Sequence, residues 1–121
     1  MNSSVNNKSS LFQVIGELNR GELQFKICEW KLLIETKRYL EIKAPNGMVK
    51  RIYKEKINVV IGDTKYYADG QLSCSAFCSE DDISNLKIAI VKQLKQQIAA
   101  LMSDLQINQN ALSKKMITDE L

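Results

Sequence analysis

Three groups of residues in this chain carry side chains that chemistry uses. Glu80, Asp81 and Asp82 are consecutive carboxylates, the oxygen donors that a hard divalent cation takes. Cys28, Cys74 and Cys78 are thiols, which become nucleophiles when a base or cation holds them as thiolates. Lys37, Lys43, Lys50, Lys54 and Lys56, with Tyr39 among them, form a cationic stretch suited to acidic or phosphate-bearing surfaces.

Local structure accounts for the first two groups. Ser79 with Asp82 three residues later is a capping box, and acids in a first helical turn suit the positive end of the macrodipole. The cysteines lack CxxC spacing, and Cys74 and Cys78 alternate with small residues as packed strand positions do. Histidine is absent, which removes the commonest general base and the commonest metal ligand together. The five glycines form no phosphate loop. No catalytic residue, metal or cofactor is expected, and no enzymatic activity.

The cationic stretch has a local explanation too: a solvated face whose lysines prevent edge-to-edge aggregation, with Glu35 and Glu41 diluting the field. Like charges set opposite each other also invite an acidic or phosphate-bearing surface. Residues 20–56 hold ten Lys/Arg against five Glu, whereas residues 57–86 hold one Lys against five acids. Such asymmetry favours a charged partner. Lysine outnumbers arginine fourteen to three, and arginine is the better fork for phosphates and bases. A protein partner with an acidic surface is therefore the first expectation, the chain acting as a small inhibitor, adaptor or regulatory subunit. Single-stranded DNA or RNA on the same basic surface is the alternative.

These residues need elements to position them. With 121 residues, 45% hydrophobic and 26% charged, a single α+β domain over residues 11–106 is expected. It is flanked by a disordered stretch over 1–10 and a polar tail over 107–121. The start has no apolar signal core and no run reaches 18 apolar residues, so no membrane association and a cytoplasmic location are expected.

Ser10 and Gln13 make a capping box, Leu11, Ile15 and Leu18 share a helical face, and Gly21 suits a C-terminal cap. They predict a short N-terminal helix. A meander of four to five antiparallel strands follows, with a bulge near Ile27 or Cys28. Its centre is a long hairpin, residues 28–44 against 49–61, turning at Asn46-Gly47. That turn pairs Leu40 with Tyr53 and Ala44 with Val49. It sets Lys43 against Lys50, Lys37 against Lys56 and Tyr39 against Lys54 on the outer face. A three-residue Pro45-Asn46-Gly47 loop is the rival, but it sets Val49 and Ile57 opposite charged residues.

Further turns at residues 62–64 and 69–70 delimit short strands over 65–68 and 71–78. From Ser79 a helix of about 27 residues carries a stripe of Ile83, Leu86, Ile90, Leu94, Ile98, Leu101 and Leu105. The short strands cannot cover the hairpin tip, so either the helix or a second copy of the chain does. A homodimer is the economical expectation, with Leu94, Ile98, Leu101 and Leu105 as candidate interface residues. The element order is similar in outline to some dimeric single-strand-binding folds, although no motif matches that group.

Overall fold

A computed structural model describes residues 10–120. The disorder expected over 1–10 lies outside the described residues, except Ser10, which opens the first strand. Six antiparallel strands precede one long helix: β1 Ser10–Asn19, β2 Glu22–Glu35, β3 Tyr39–Lys43, β4 Val49–Tyr53, β5 Ile61–Asp63, β6 Gln71–Cys78 and α1 Ile83–Glu120. Strand order in the sheet is β4-β3-β2-β1-β6-β5.

The short N-terminal helix does not form, and its residues are the central strand. Leu11 pairs with Trp30, and Val14 lies between Ile27 and Ala76. Leu11, Ile15 and Leu18 imitate a helical stripe because β1 is apolar on both faces. Leu11 faces one core cluster, while Phe12, Val14 and Leu18 face the other. Gly21 does adopt positive φ, 91°, but beside Arg20 at 51° it makes a tight hairpin turn between β1 and β2.

That β1–β2 hairpin, with ten residue pairs, replaces the long hairpin expected at residues 28–61. The run over 28–44 breaks at Thr36, whose Oγ1 accepts hydrogen bonds from the N–H groups of Arg38 and Tyr39. β2 stays in regular register with β1 through Lys31, and the bulge lies at Leu33 instead of Ile27 or Cys28. The change of apolar parity along β2 has another cause. Phe25 is covered by the helix on one face, and Trp30 by β3 and β4 on the other.

The three-residue loop sets the β3–β4 register. Gly47 sits at φ 93°, Gly47 N–H donates to Ala44 C=O, and Ala44 N–H donates to Met48 C=O. Lys43 therefore faces Val49, Glu41 faces Arg51, Leu40 faces Ile52 and Tyr39 faces Tyr53. The Lys43–Lys50, Lys37–Lys56 and Tyr39–Lys54 pairs do not form. Ile52, buried, carries the inner face of β4, while Val49 and Tyr53 are 53% and 43% exposed. The strand expected over 65–68 is absent. β5 precedes it, and Tyr67–Asp69 is a 3-10 turn that ends at Gly70 with φ 81°.

The sheet curls. In a flat sheet β4 and β6, four strand steps apart, would be separated by about 19 Å. Here Lys50 Nζ of β4 lies 5.4 Å from the Phe77 ring centroid of β6. The concave core contains Leu11, Trp30, Leu40, Ile42, Ile52 and Phe77. On the other face Val14, Cys74, Ala76 and Cys78 seat Leu86, Ile90 and Leu94 of α1.

The helix begins where the capping residues place it. Glu80–Asp82 is a 3-10 turn leading into α1, and Ser79 Oγ donates to Asp82 Oδ2 at 3.3 Å. It runs further than expected, for 38 residues or about 57 Å. The segment from 107 expected as a tail is helical through Glu120.

A candidate basic cleft at the free edge of β4

The curl leaves a seam between its two ends. A cleft of about 370 Å³ opens there, with Lys50, Arg51 and Tyr53 of β4 on one side. Val59 and Ile61 line the other side, and Ser75 and Phe77 of β6 lie within the lining. Lys56, from the 3-10 turn after β4, adds a third cation, and no carboxylate lines the cleft.

Aromatic rings hold two of the cations. Lys50 Nζ stands over Phe77, and the Arg51 guanidinium lies 4.1 Å from the Tyr39 centroid. Tyr39 and Tyr53 meet edge to face at 5.9 Å. Glu41 reaches Arg51 at 3.7 Å, a half-exposed contact of small energetic weight.

The backbone contributes as much as the charges. β4 has one partner strand, β3, and no second neighbour among the described residues. Lys54 N–H donates to Arg38 C=O, and Ala44 N–H to Met48 C=O. In an antiparallel ladder bonded and non-bonded pairs alternate, so residues 50 and 52 bond to β3. The N–H and C=O groups of Val49, Arg51 and Tyr53 consequently point to the free edge.

Of the six residues singled out from the sequence, Lys50 and Lys56 line this cleft, and Tyr39 supports it through Arg51. Lys43 instead faces Lys31 across β3 and β2. Lys54 pairs with Glu35 at 2.8 Å, and Lys37 lies exposed in the turn after β2. Arg51, Tyr53 and Phe77 were not foreseen. The signal for Arg51 is present, because a Pro-Asn-Gly loop with glycine at its third position fixes the register that turns Arg51 to the outer face. A larger cavity, about 490 Å³, is lined by Leu11, Leu32, Leu40 and Ile57, and it opens beside Ser10, where the described residues begin.

The thiols and acids stay apart from the cleft. Among the described residues no cluster of three His, Cys, Asp or Glu side chains can hold a metal ion. Cys74 and Cys78 are buried against α1, and the Cys74 thiol donates to Gln97 Oε1 at 2.8 Å. Burial pushes the Cys74 thiol from an ordinary 9.0 to about 11, and burial with the nearby Asp82 carboxylate raises that of Cys78. The folded Cys74 thiol holds its proton more tightly than the unfolded one. Stability from this group is intact below pH 9.0 and declines as pH rises toward about 11. Maleimide at about pH 8, below the ordinary thiol pKa, is expected to label only the half-buried Cys28 in the native protein, and all three thiols after denaturation. Intact-mass measurement reads the count; labelling of Cys74 at the rate of Cys28 would contradict its burial.

No helix among the described residues is long and apolar enough to cross a membrane. No family model, curated protein or solved structure matches the chain.

Proposed function

We propose that the protein binds, without catalysing a reaction, an extended acidic segment of another protein, which adds a strand to β4 along the basic cleft. One observation carries this reading: unpaired backbone groups of Val49, Arg51 and Tyr53 border a cleft that holds three cations. Main-chain bonds to the edge supply affinity, and alternate side chains of the incoming strand meet the cleft. Alternate side chains meet opposite faces of β4, so the acidic ones meet Lys50 on the cleft side. The apolar ones meet Val49 and Tyr53 on the outer side, with Arg51 and Lys56 adding to the positive field. Five residues of β4 accommodate about 17 Å of partner strand.

Single-stranded nucleic acid is the second reading, favoured by the exposed ring of Tyr53 among the cations. Base stacking wants successive open aromatic faces. Phe77 is 8% exposed and Arg51 lies over Tyr39, so the cleft offers one such face.

Val49→Pro separates the two. It removes an edge-facing N–H at the first residue of an edge strand, where proline is tolerated, and changes no charge. Calorimetric titration with a peptide of alternating Glu and Val is expected to show binding that falls at least tenfold in this variant. Arg51→Glu is expected to weaken the same peptide, mostly through a slower on-rate. An oligothymidylate that binds more tightly than the peptide, and equally well to Val49→Pro, would favour nucleic acid and overturn the strand-addition reading.

A further inference from the structure

From the far half of α1 we infer that the chain associates with a second copy of itself through a coiled-coil seam running from Ile98 to Leu112. Leu94 is not part of it. That residue is 4% exposed and belongs to the core beneath the sheet, which the helix leaves after Leu101.

Every residue from 102 to 116 is exposed. Met102, Leu105, Leu112 and Met116 are each between 58% and 69% exposed, yet the backbone is helical throughout. An isolated helix of 12–15 residues is only marginal in water even when rich in alanine. This stretch contains Ser103, Asn108, Asn110 and Ser113, all weaker helix formers. Helix in that composition calls for a cover, and the sheet does not reach it.

The spacing identifies the cover. Leu94, Ile98, Leu101, Leu105, Asn108 and Leu112 follow one another at four and three residues in alternation, the seven-residue repeat of a supercoiled pair. This repeat continues without a phase break from the part that packs on the sheet. Asn108 is its one polar member before Leu112. A second copy brings an equivalent asparagine to the seam, whereas an apolar partner would bury the amide unpaired.

Charge also points to self-association. Between residues 102 and 116 only Asp104, Lys114 and Lys115 are charged, so two copies meet with little repulsion, and no strongly acidic or basic partner is selected. The exposed parts of Ile98, Met102, Leu105, Leu112 and Met116, taken from two chains, can cover roughly 1,000 Å² in total, the lower bound for a specific interface.

This inference is independent of the cleft and is tested by mass. Light scattering at micromolar concentration is expected to give twice 13.8 kDa for the natural chain. The double variant Leu105→Asp, Leu112→Asp is expected to give 13.8 kDa with Trp30 fluorescence unchanged, because neither residue belongs to a core cluster. Asn108→Leu is expected to tighten the assembly at least tenfold or raise its order, since the seam asparagine trades affinity for register. A monomeric natural chain, a double variant that stays dimeric, or weaker association on Asn108→Leu would each overturn the inference.

Discussion

Replacing Trp30 with alanine is expected to cost about 3–5 kcal/mol, the range for emptying a large aromatic site in a core. Trp30 is 6% exposed, meets Phe77 edge to face at 5.7 Å, and donates its indole N–H to Gln13 Oε1 at 3.1 Å. It thus joins β2 to β6 and β1 on the concave face, where the curl draws the ends of the sheet together. Losing it leaves a cavity against Leu40, Ile42 and Ile52 and frees the Phe77 wall of the cleft. Urea unfolding followed by circular dichroism measures the loss, since this is the chain's one tryptophan. Trp30→Phe keeps the ring, gives up the hydrogen bond, and should cost about 1 kcal/mol for that bond plus a smaller packing term. A Trp30→Ala loss below that of Trp30→Phe would mean that the ring is not what closes the concave core.

Gly16→Ala should destabilise the protein by about 1–3 kcal/mol, although alanine is ordinarily the better residue within a strand. A Cβ at position 16 would stand 2.5 Å from Ile90 Cγ2 and 3.2 Å from Phe25 Cε1. Gly16 lies at the middle of β1, and its missing side chain admits Ile90, fully buried in the second turn of α1. Ile90→Ala alone is expected to cost about 2–5 kcal/mol through the cavity it leaves. The two changes address one space from opposite sides. Combined, they should therefore cost less than their sum, by at least about 0.5 kcal/mol. Chemical denaturation of the four proteins in the cycle gives that coupling. Simple additivity would show that Gly16 and Ile90 do not meet.

The legible parts of this fold are those where one face of an element is buried and the other is wet. The helix start is of that kind, as is strand 71–78 up to Phe77, which packs on the opposite face. So are Trp30, Leu32, Leu40 and Ile42, whose shared parity holds even though Thr36 divides them between two strands. The capping residues 79–82 and the turn at Asp69-Gly70 are legible from their own side-chain chemistry. β1 was not legible, because Leu11 and Ile15 point to one face and Val14 and Leu18 to the other, which reproduces a helical spacing. Thr36-Lys37-Arg38 carries no glycine, proline or asparagine, and its turn is made by the Thr36 hydroxyl. The cationic stretch was visible as composition but not as a surface. A one-residue change of register exchanges every inner and outer side chain of β4. The cleft also draws on residues 50–61 and 75–77, which only the curl brings together.

The position of β1 at the centre of the sheet also orders events in time. One of its edges pairs with β2 across a two-residue turn before the end of β2 is made, since the register closes at Lys31. The other waits for β6, because Val14 pairs with Ala76. On a ribosome adding about 5–20 residues per second, the forty or so residues from the end of β2 to Ala76 take roughly 2–8 s. Through that interval the nascent hairpin shows an open edge with Phe12, Val14 and Leu18 uncovered on the face that α1 will later close. The last third of the chain therefore acts as a cover for the first twenty residues. A polypeptide interrupted before residue 71 is left with a strand edge that another chain can extend.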